Sequence, residues 1–285
     1  MCAIIVSLRR ILRKSPLTLI GAFLVLVTIA AGMLAPVLAP TTATAQSMVA
    51  RNQPPGFLSA TGIHHLLGTD HLGRDVLSRL LFGVRLSLAV GFAAMIMGGA
   101  VGVTMGLIAG YFGGKVDAVI MRLVDVQMSF PFILLAIVFA ALWGGGFWQI
   151  IIIVSIRGWV DYARLIRGLV LSIKERSFIN ASRAVGSTTG RILAQHILPH
   201  ILAPALVIGT FQVGSAIVLE STLSFLGLGI DPPTPSLGGI LNDGRNYLST
   251  AWWPVASSGA WLTIIVLAIN LTGDGLRDIL DPRFQ

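Results

Sequence analysis

Residues 86–114 read LSLAVGFAAMIMGGAVGVTMGLIAGYFGG, with no charge between Arg85 and Lys115. About 20 mostly apolar residues in a helix cross the hydrocarbon core of a bilayer, so this stretch is long enough to span it. It also carries Gly98, Gly102, Gly106 and Gly110 at four-residue spacing, with Ala94 one step earlier. Four residues is close to one helical turn, so one helix face lacks side chains. In lipid, where apolar burial supplies no force between helices, such a face permits close backbone approach. The expected partner is span three or span five of the same chain, in preference to a subunit interface.

The pattern repeats on either side. Of 285 residues, 55% are hydrophobic and 11% charged, against about 25% charged in soluble domains; mean hydropathy is +0.85. A soluble monomer would have to expose far more apolar surface than such proteins tolerate. The sequence predicts an all-α integral membrane protein with six transmembrane helices at 17–38, 86–110, 118–142, 147–170, 200–223 and 253–275. Gly144-Gly145-Gly146 divides spans three and four. Pro131 and Pro204, which lack a backbone donor, are expected to kink spans three and five. Arg9, Arg10, Arg13 and Lys14 ahead of span one, with Ala43-Thr44-Ala45 behind it, imitate a signal peptide. The apolar run is longer than the 7 to 15 residues of a signal's central region, so it is read as a span.

Lys and Arg set the orientation. With the tail 1–16 in the cytoplasm, that side collects 15 of the 20 basic residues, seven of them between Arg157 and Arg191, and the segments 39–85 and 224–252 hold 5. Both termini, including the tail 276–285, are therefore placed in the cytoplasm. The net charge of +8 then reflects topology, and no basic domain or motif for nucleic acid stands outside the membrane.

In the loop 171–199, Phe178, Ala181, Ser182 and Val185 recur at i, i+3, i+4 and i+7, so a short amphipathic helix is expected. Gly186 ends it. Two destinations fit the pattern equally, the anionic inner leaflet and the groove of a partner protein. Outside, His64, His65 and His71 lack the spacing of a metal-ligand motif. Glu220, near the outer end of span five, is either a site residue or an interfacial side chain. No catalytic signature appears: residues 109–116, AGYFGGKV, lack the first Gly and the Ser or Thr of a phosphate loop. Cys2 has no partner for a disulfide or metal site.

Three segments together carry a family resemblance. These are Leu67 to Asp75 (LGTDHLGRD) with Leu77, Ser78 and Arg79; Phe225 to Gly229 (FLGLG) with Pro232-Pro233-Thr234-Pro235; and Gly273 to Asp278 (GDGLRD) with Asp281-Pro282-Arg283. Across nearly the whole chain beyond residue 60 or so, the sequence resembles the second permease subunit of bacterial peptide/nickel-type ABC importers, with the type I importer fold. In that family a cytoplasmic Glu-Ala-Ala signature is followed by Gly and an apolar-Leu-Pro ending. Here the matching positions are Asn180, Ala181, Ser182, Gly186, Ile197, Leu198 and Pro199. The resemblance implies that this loop is the coupling helix, with Phe178 and Arg183 beside it, and that it sits in a groove of an ATP-hydrolysing subunit. Asn180 departs from the acidic residue and Ser182 from the second alanine.

The resemblance further implies a homologous, non-identical second permease, two ATPase subunits that bind ATP and magnesium, and a periplasmic substrate-binding receptor. This chain would itself hold no cofactor and no metal. The receptor's landing surface would lie on the outer segments, with Asp70, Arg74, Asp75, Asp243 and Arg245 as polar contacts. Their spacing suits a fixed turn and helix cap equally well. Gln212, Ser215, Glu220 and Ser224 are the few polar candidates for a translocation path. Short peptides are the first substrate class implied, then nickel chelates, glutathione and opines. A secondary transporter would show midplane charges or an inverted repeat, and six spans read this way show neither.

Overall fold

A computed structural model describes residues 16–280. The basic tail, Cys2 and the Asp281-Pro282-Arg283 ending lie outside them. In chain order the helices are α1 Pro16–Met33, α2 Ala35–Leu38, α3 Val76–Phe112, α4 Gly114–Met128, α5 Phe132–Trp143, α6 Phe147–Ile173 and α7 Ser177–Ala184. There follow α8 Thr189–Arg191, a π-helical turn Ile192–Ile197, α9 Leu198–Phe225, α10 Leu237–Gly244 and α11 Trp253–Leu280. The strands β1 Phe57–Leu58 and β2 His64–His65 pair antiparallel. They belong to a compact extramembrane segment between α2 and α3.

The glycine ladder decides how the bundle packs. A Cβ added to Gly98 would lie 3.1 Å from the Ser155 carbonyl oxygen, and one on Gly106 would lie 2.7 Å from that of Ala163. One on Gly110 would meet Val170 Cβ at 2.7 Å. The ladder therefore runs parallel to α6 in backbone contact, and α3–α6 is the most extensive helix pairing in the protein. The close approach is intramolecular, as expected, but its partner is span four rather than three or five. The reason is the small or short-reach surface of α6 at Ser155, Gly158 and Ala163, which matches the ladder turn for turn.

Four helical stretches are long and apolar enough to cross a membrane: α1, α3, Thr189–Phe225 and α11. A fifth forms if α4 and α5 are one broken span, their axes 85° apart. The expected kink at Pro131 is thus a full break at Ser129–Pro131. The proline removes a backbone donor, its ring disfavours helix at Phe130, and a new helix starts at Phe132. Pro204, by contrast, sits inside a continuous α9. Helix α6 has 27 residues, about 40 Å at 1.5 Å per residue. Its second half carries Arg157, Asp161, Arg164 and Arg167.

Three larger clusters and a small fourth, Val124 with Val160 and Ala163, make the core. Val76, Leu80, Val84, Leu237, Trp253 and Ile265 tie α3, α10 and α11 together near the outer segments. Val90, Ala136, Ile150 and Leu223 fill the middle, and Ile166, Val170, Ile179, Ile192 and Ile201 close the end where α7 sits. Phe23, Leu26, Ile96 and Val119 are all over 60% exposed. A belt of that size is expected where the surrounding solvent is hydrocarbon.

Candidate functional sites

Between α2 and α3 the chain folds around Asp70. Asp70 Oδ1 accepts from the backbone N–H of Leu72 (2.8 Å) and Arg74 (3.0 Å), an Asx-type turn that Gly73, at φ 71°, completes. Asp70 Oδ2 accepts from Arg74 Nε at 2.7 Å and Arg79 Nη1 at 2.6 Å. Both guanidiniums then reach Asp243 Oδ2 on α10, at 2.8 and 2.9 Å. Two cations and two carboxylates are satisfied within one buried knot. Burial alone would raise the Asp70 pKa, but Arg79, Arg74 and the hydrogen bonds outweigh it and hold the carboxyl below its ordinary value. Asp75 caps α3 by accepting from Ser78 N–H at 2.7 Å and also meets His65 Nδ1 at 2.8 Å.

Asp70, Arg74 and Asp75 are therefore buried, Asp243 is partly buried, and Arg245 alone of the five expected receptor contacts is exposed, its guanidinium 6.0 Å from the Phe225 ring centre. Asp70, His71 and Asp243 bring ligand atoms within 4.8 Å of one another, but Arg74 and Arg79 occupy the same carboxylate oxygens, and a cation there would have to displace both. His64 is exposed, while His71 stacks on Tyr247 at 5.1 Å. Arg79, which the resemblance quoted only as part of a motif, turns out to be the knot's second cation.

At the opposite end, α7 hangs outside the bundle on one anchor. Ile179 is fully buried against Ile173 and Ile192, while Asn180, Ala181, Val185 and Gly186 are exposed and Ser182 is half-buried. Phe178 stacks on His200 at 5.5 Å and Arg183 lies 5.4 Å from the Tyr111 ring centre, so both brace the helix from its flanks. Gly186 takes φ 82°, the left-handed conformation that turns the chain away. Phe178, Ala181 and Val185, the face offered by the sequence to a leaflet or a partner's groove, are exposed. Ile179, outside that pattern, carries the packing.

Along α9 the four polar candidates separate. Glu220 is fully buried, accepting from Ser224 at 2.8 Å, Ser87 at 3.1 Å and Ser221 at 3.2 Å. It ties α9 to α3, and Ser224 beside it is buried too. Gln212 and Ser215, with Asp161, Arg164, Ile208 and Phe211, border a cleft of about 340 Å³ between α6 and α9. Gln212 Nε2 donates to Asp161 Oδ2 at 2.6 Å. Asp161 and Arg164, placed at the charged end of span four, are not among the site candidates named from the sequence. Their spacing with Arg157, i, i+4 and i+7, is the signal that puts them on one helix stripe.

The whole is a helical bundle with the short helix α7 at one end and a capped, clamped segment at the other. Residues 102–285 match the family model described as binding-protein-dependent transport system inner membrane component, and the chain belongs to that family. Residues 7–55 match the N-terminal transmembrane domain of oligopeptide transport permease C. The dipeptide transport system permease protein DppC of Alkalihalophilus pseudofirmus is 39% identical over 274 residues, covering 96% of this chain and 88% of that one. The DppC of Bacillus subtilis is 38% identical over 97% of this chain and 85% of its own. The glutathione transport system permease protein GsiD of Pectobacterium atrosepticum is 42% identical over 78% and 73%. Among solved structures, the inward-facing MetNI methionine ABC transporter aligns with TM-score 0.57 and 24% identity, over 70% of this chain and 95% of that one. The fold is that of a type I ABC importer permease.

Proposed function

We propose that this chain is the C-type permease subunit of an ATP-driven importer that carries short peptides or peptide-like solutes across the bacterial inner membrane. The observation that carries the reading is α7: an eight-residue helix anchored by Ile179, braced by Phe178 and Arg183 and presenting Asn180, Ala181 and Val185 outward is built to be gripped by something else. An ATPase subunit gripping it would move the π-helical turn and α9 with little slack. The names of the relatives, with dipeptide, di/tripeptide and glutathione permeases among them, favour peptide-like cargo over nickel chelates or opines.

In this reading α6 is the fourth of six spans, both termini are cytoplasmic, and α7 faces the cytoplasm. ATP and magnesium are bound by two partner ATPases, and no residue of this chain is catalytic. A homologous second permease completes the pathway. With Asn180 in place of an acidic residue, the grip relies on shape and hydrogen bonding rather than on an ion pair at that position. The periplasmic receptor lands on a surface presented by Arg245 and Asp243, with Asp70, Arg74 and Asp75 as the rigid frame behind it. Gln212 and Ser215 border a weakly selective passage, and the receptor makes most of the selection. Co-purification tests the assembly: tagged permease should bring ATPase subunits and a second permease with it. Mass spectrometry of the receptor's bound compound should show a short peptide. A permease that purifies alone, or a receptor holding a nickel chelate, would contradict the reading.

A further inference from the structure

The stripe Arg157, Asp161 and Arg164 lies near the middle of α6, opposite Gln212 near the middle of α9. The depth follows from the neighbours: Gly98, central in α3, abuts Ser155 and Trp159. Arg157 and Arg164 are exposed. Among the described residues, neither meets a carboxylate. Arg157 rests 6.0 Å from the Phe132 ring centre, and Arg164 donates to the Met128 sulfur, a weak acceptor, at 3.0 Å. Asp161 is held by Gln212 and has no cationic partner among the described residues. Ionised groups at this depth are too costly to face lipid, so they face a protein interior or water. Asp161 and Arg164 border a cleft floored by Ile208 and Phe211, and Arg157 lies one turn before Asp161 on the same stripe of α6.

We propose that this cleft is a water-filled, anion-attracting station in the translocation path, where Arg157 and Arg164 receive the carboxylate of a passing solute. Gln212 holds Asp161 aside, so that its charge does not close onto either guanidinium. Arg164 in its wall and Arg157 one turn beyond Asp161 on the same stripe, against Asp161 alone, make the approach to the cleft net positive, and low-dielectric walls focus that field. The guanidinium fork suits a carboxylate. The identity of the solute rests on the importer reading; the field and the water do not.

The test uses the whole permease–ATPase complex in nanodiscs, with Cys2→Ser as background and Ser215→Cys as reporter. Labelling by an anionic methanethiosulfonate (sulfonatoethyl) and a cationic one (trimethylammonioethyl) is followed by the mass of this subunit. Ala60→Cys in the exposed outer segment supplies the intrinsic rate ratio. The anion-to-cation ratio at position 215 should exceed the reference about tenfold. It should fall to the reference in Arg157→Gln/Arg164→Gln and rise further in Asp161→Asn, which serves if the double variant does not fold. No labelling by either reagent, a ratio at or below the reference, or a ratio indifferent to these substitutions overturns the proposal. A complex that passes this test yet takes up no peptide would instead count against the peptide reading.

Discussion

Arg79 Nη2 and Asp243 Oδ2 are 2.9 Å apart in space and 164 residues apart in sequence. Through them the segment before α3 is locked to α10, the two stretches that face outward in the importer reading. Arg79 and Asp70 are nearly inaccessible, and removing one partner of such a pair leaves the other charge buried and unmatched. Arg79→Ala should therefore cost about 3–5 kcal/mol, read as a large drop in thermal stability of the purified complex. Asp243→Asn, at a partly exposed site, should cost far less. Equal, small effects would show that the knot is not structural.

The same knot sets an acid limit. The Asp70 carboxyl is held below its ordinary value of 3.8, so its stabilising contribution is full above that pH and is lost as pH falls through the lower folded-state value. Thermal unfolding of wild type and Asp70→Asn should differ by a constant amount from pH 7 to about 5 and converge below about pH 4. A gap that widened towards acid would reverse the sign and refute the assignment.

Glycine substitutions should divide by what they face. A Cβ at Gly102 would meet the Trp159 carbonyl and Tyr162 Cβ, whereas at Gly168 it meets nothing within 4 Å. Gly102→Ala should push α3 off α6 and cost about 1–3 kcal/mol. Gly168→Ala should stay within about 0.5 kcal/mol of wild type. Unfolding of both in one detergent measures the difference; similar values would mean the α3–α6 contact is looser than described.

Much of this was legible in the residues. Spans one, two, five and six are uncharged runs, and such runs become helices because lipid offers no other partner for the backbone. The course of α6 was not legible in the same way. Its charged stripe reads as the end of a span until Asp161 is seen bonded to Gln212 across a cleft. The Asp70–Arg74 spacing announced a turn and cap, but Asp243, reached from α10, is a long-range contact that one sequence does not reveal. The helix α7 was foreseen, yet its inward residue was not. With eight residues and one anchor, tertiary contact rather than periodicity chose Ile179.

That anchor and the exposed face of α7 can be separated. Ile179→Ala should cost about 2–5 kcal/mol locally and loosen α7 from the bundle. Ala181→Asp puts a charge on the gripped face, and Gly186→Leu forces a side chain into a left-handed conformation. In each, membrane insertion should survive while ATP-driven transport is lost. Full transport in both Ala181→Asp and Gly186→Leu would remove the coupling role from this loop.

Topology has its own check. A reporter fused after Arg176 should be cytoplasmic and one near Asp231 periplasmic, as the Lys and Arg asymmetry requires. The opposite pattern would invert every assignment of inside and outside.

The most direct measurement is uptake by the reconstituted complex of both permeases, both ATPases and the receptor, using a labelled short peptide that the receptor is shown to bind. Accumulation inside the vesicles should require ATP together with the receptor and should disappear with Gly186→Leu. Accumulation driven by an ion gradient without ATP or receptor would contradict the account and place this chain among secondary transporters.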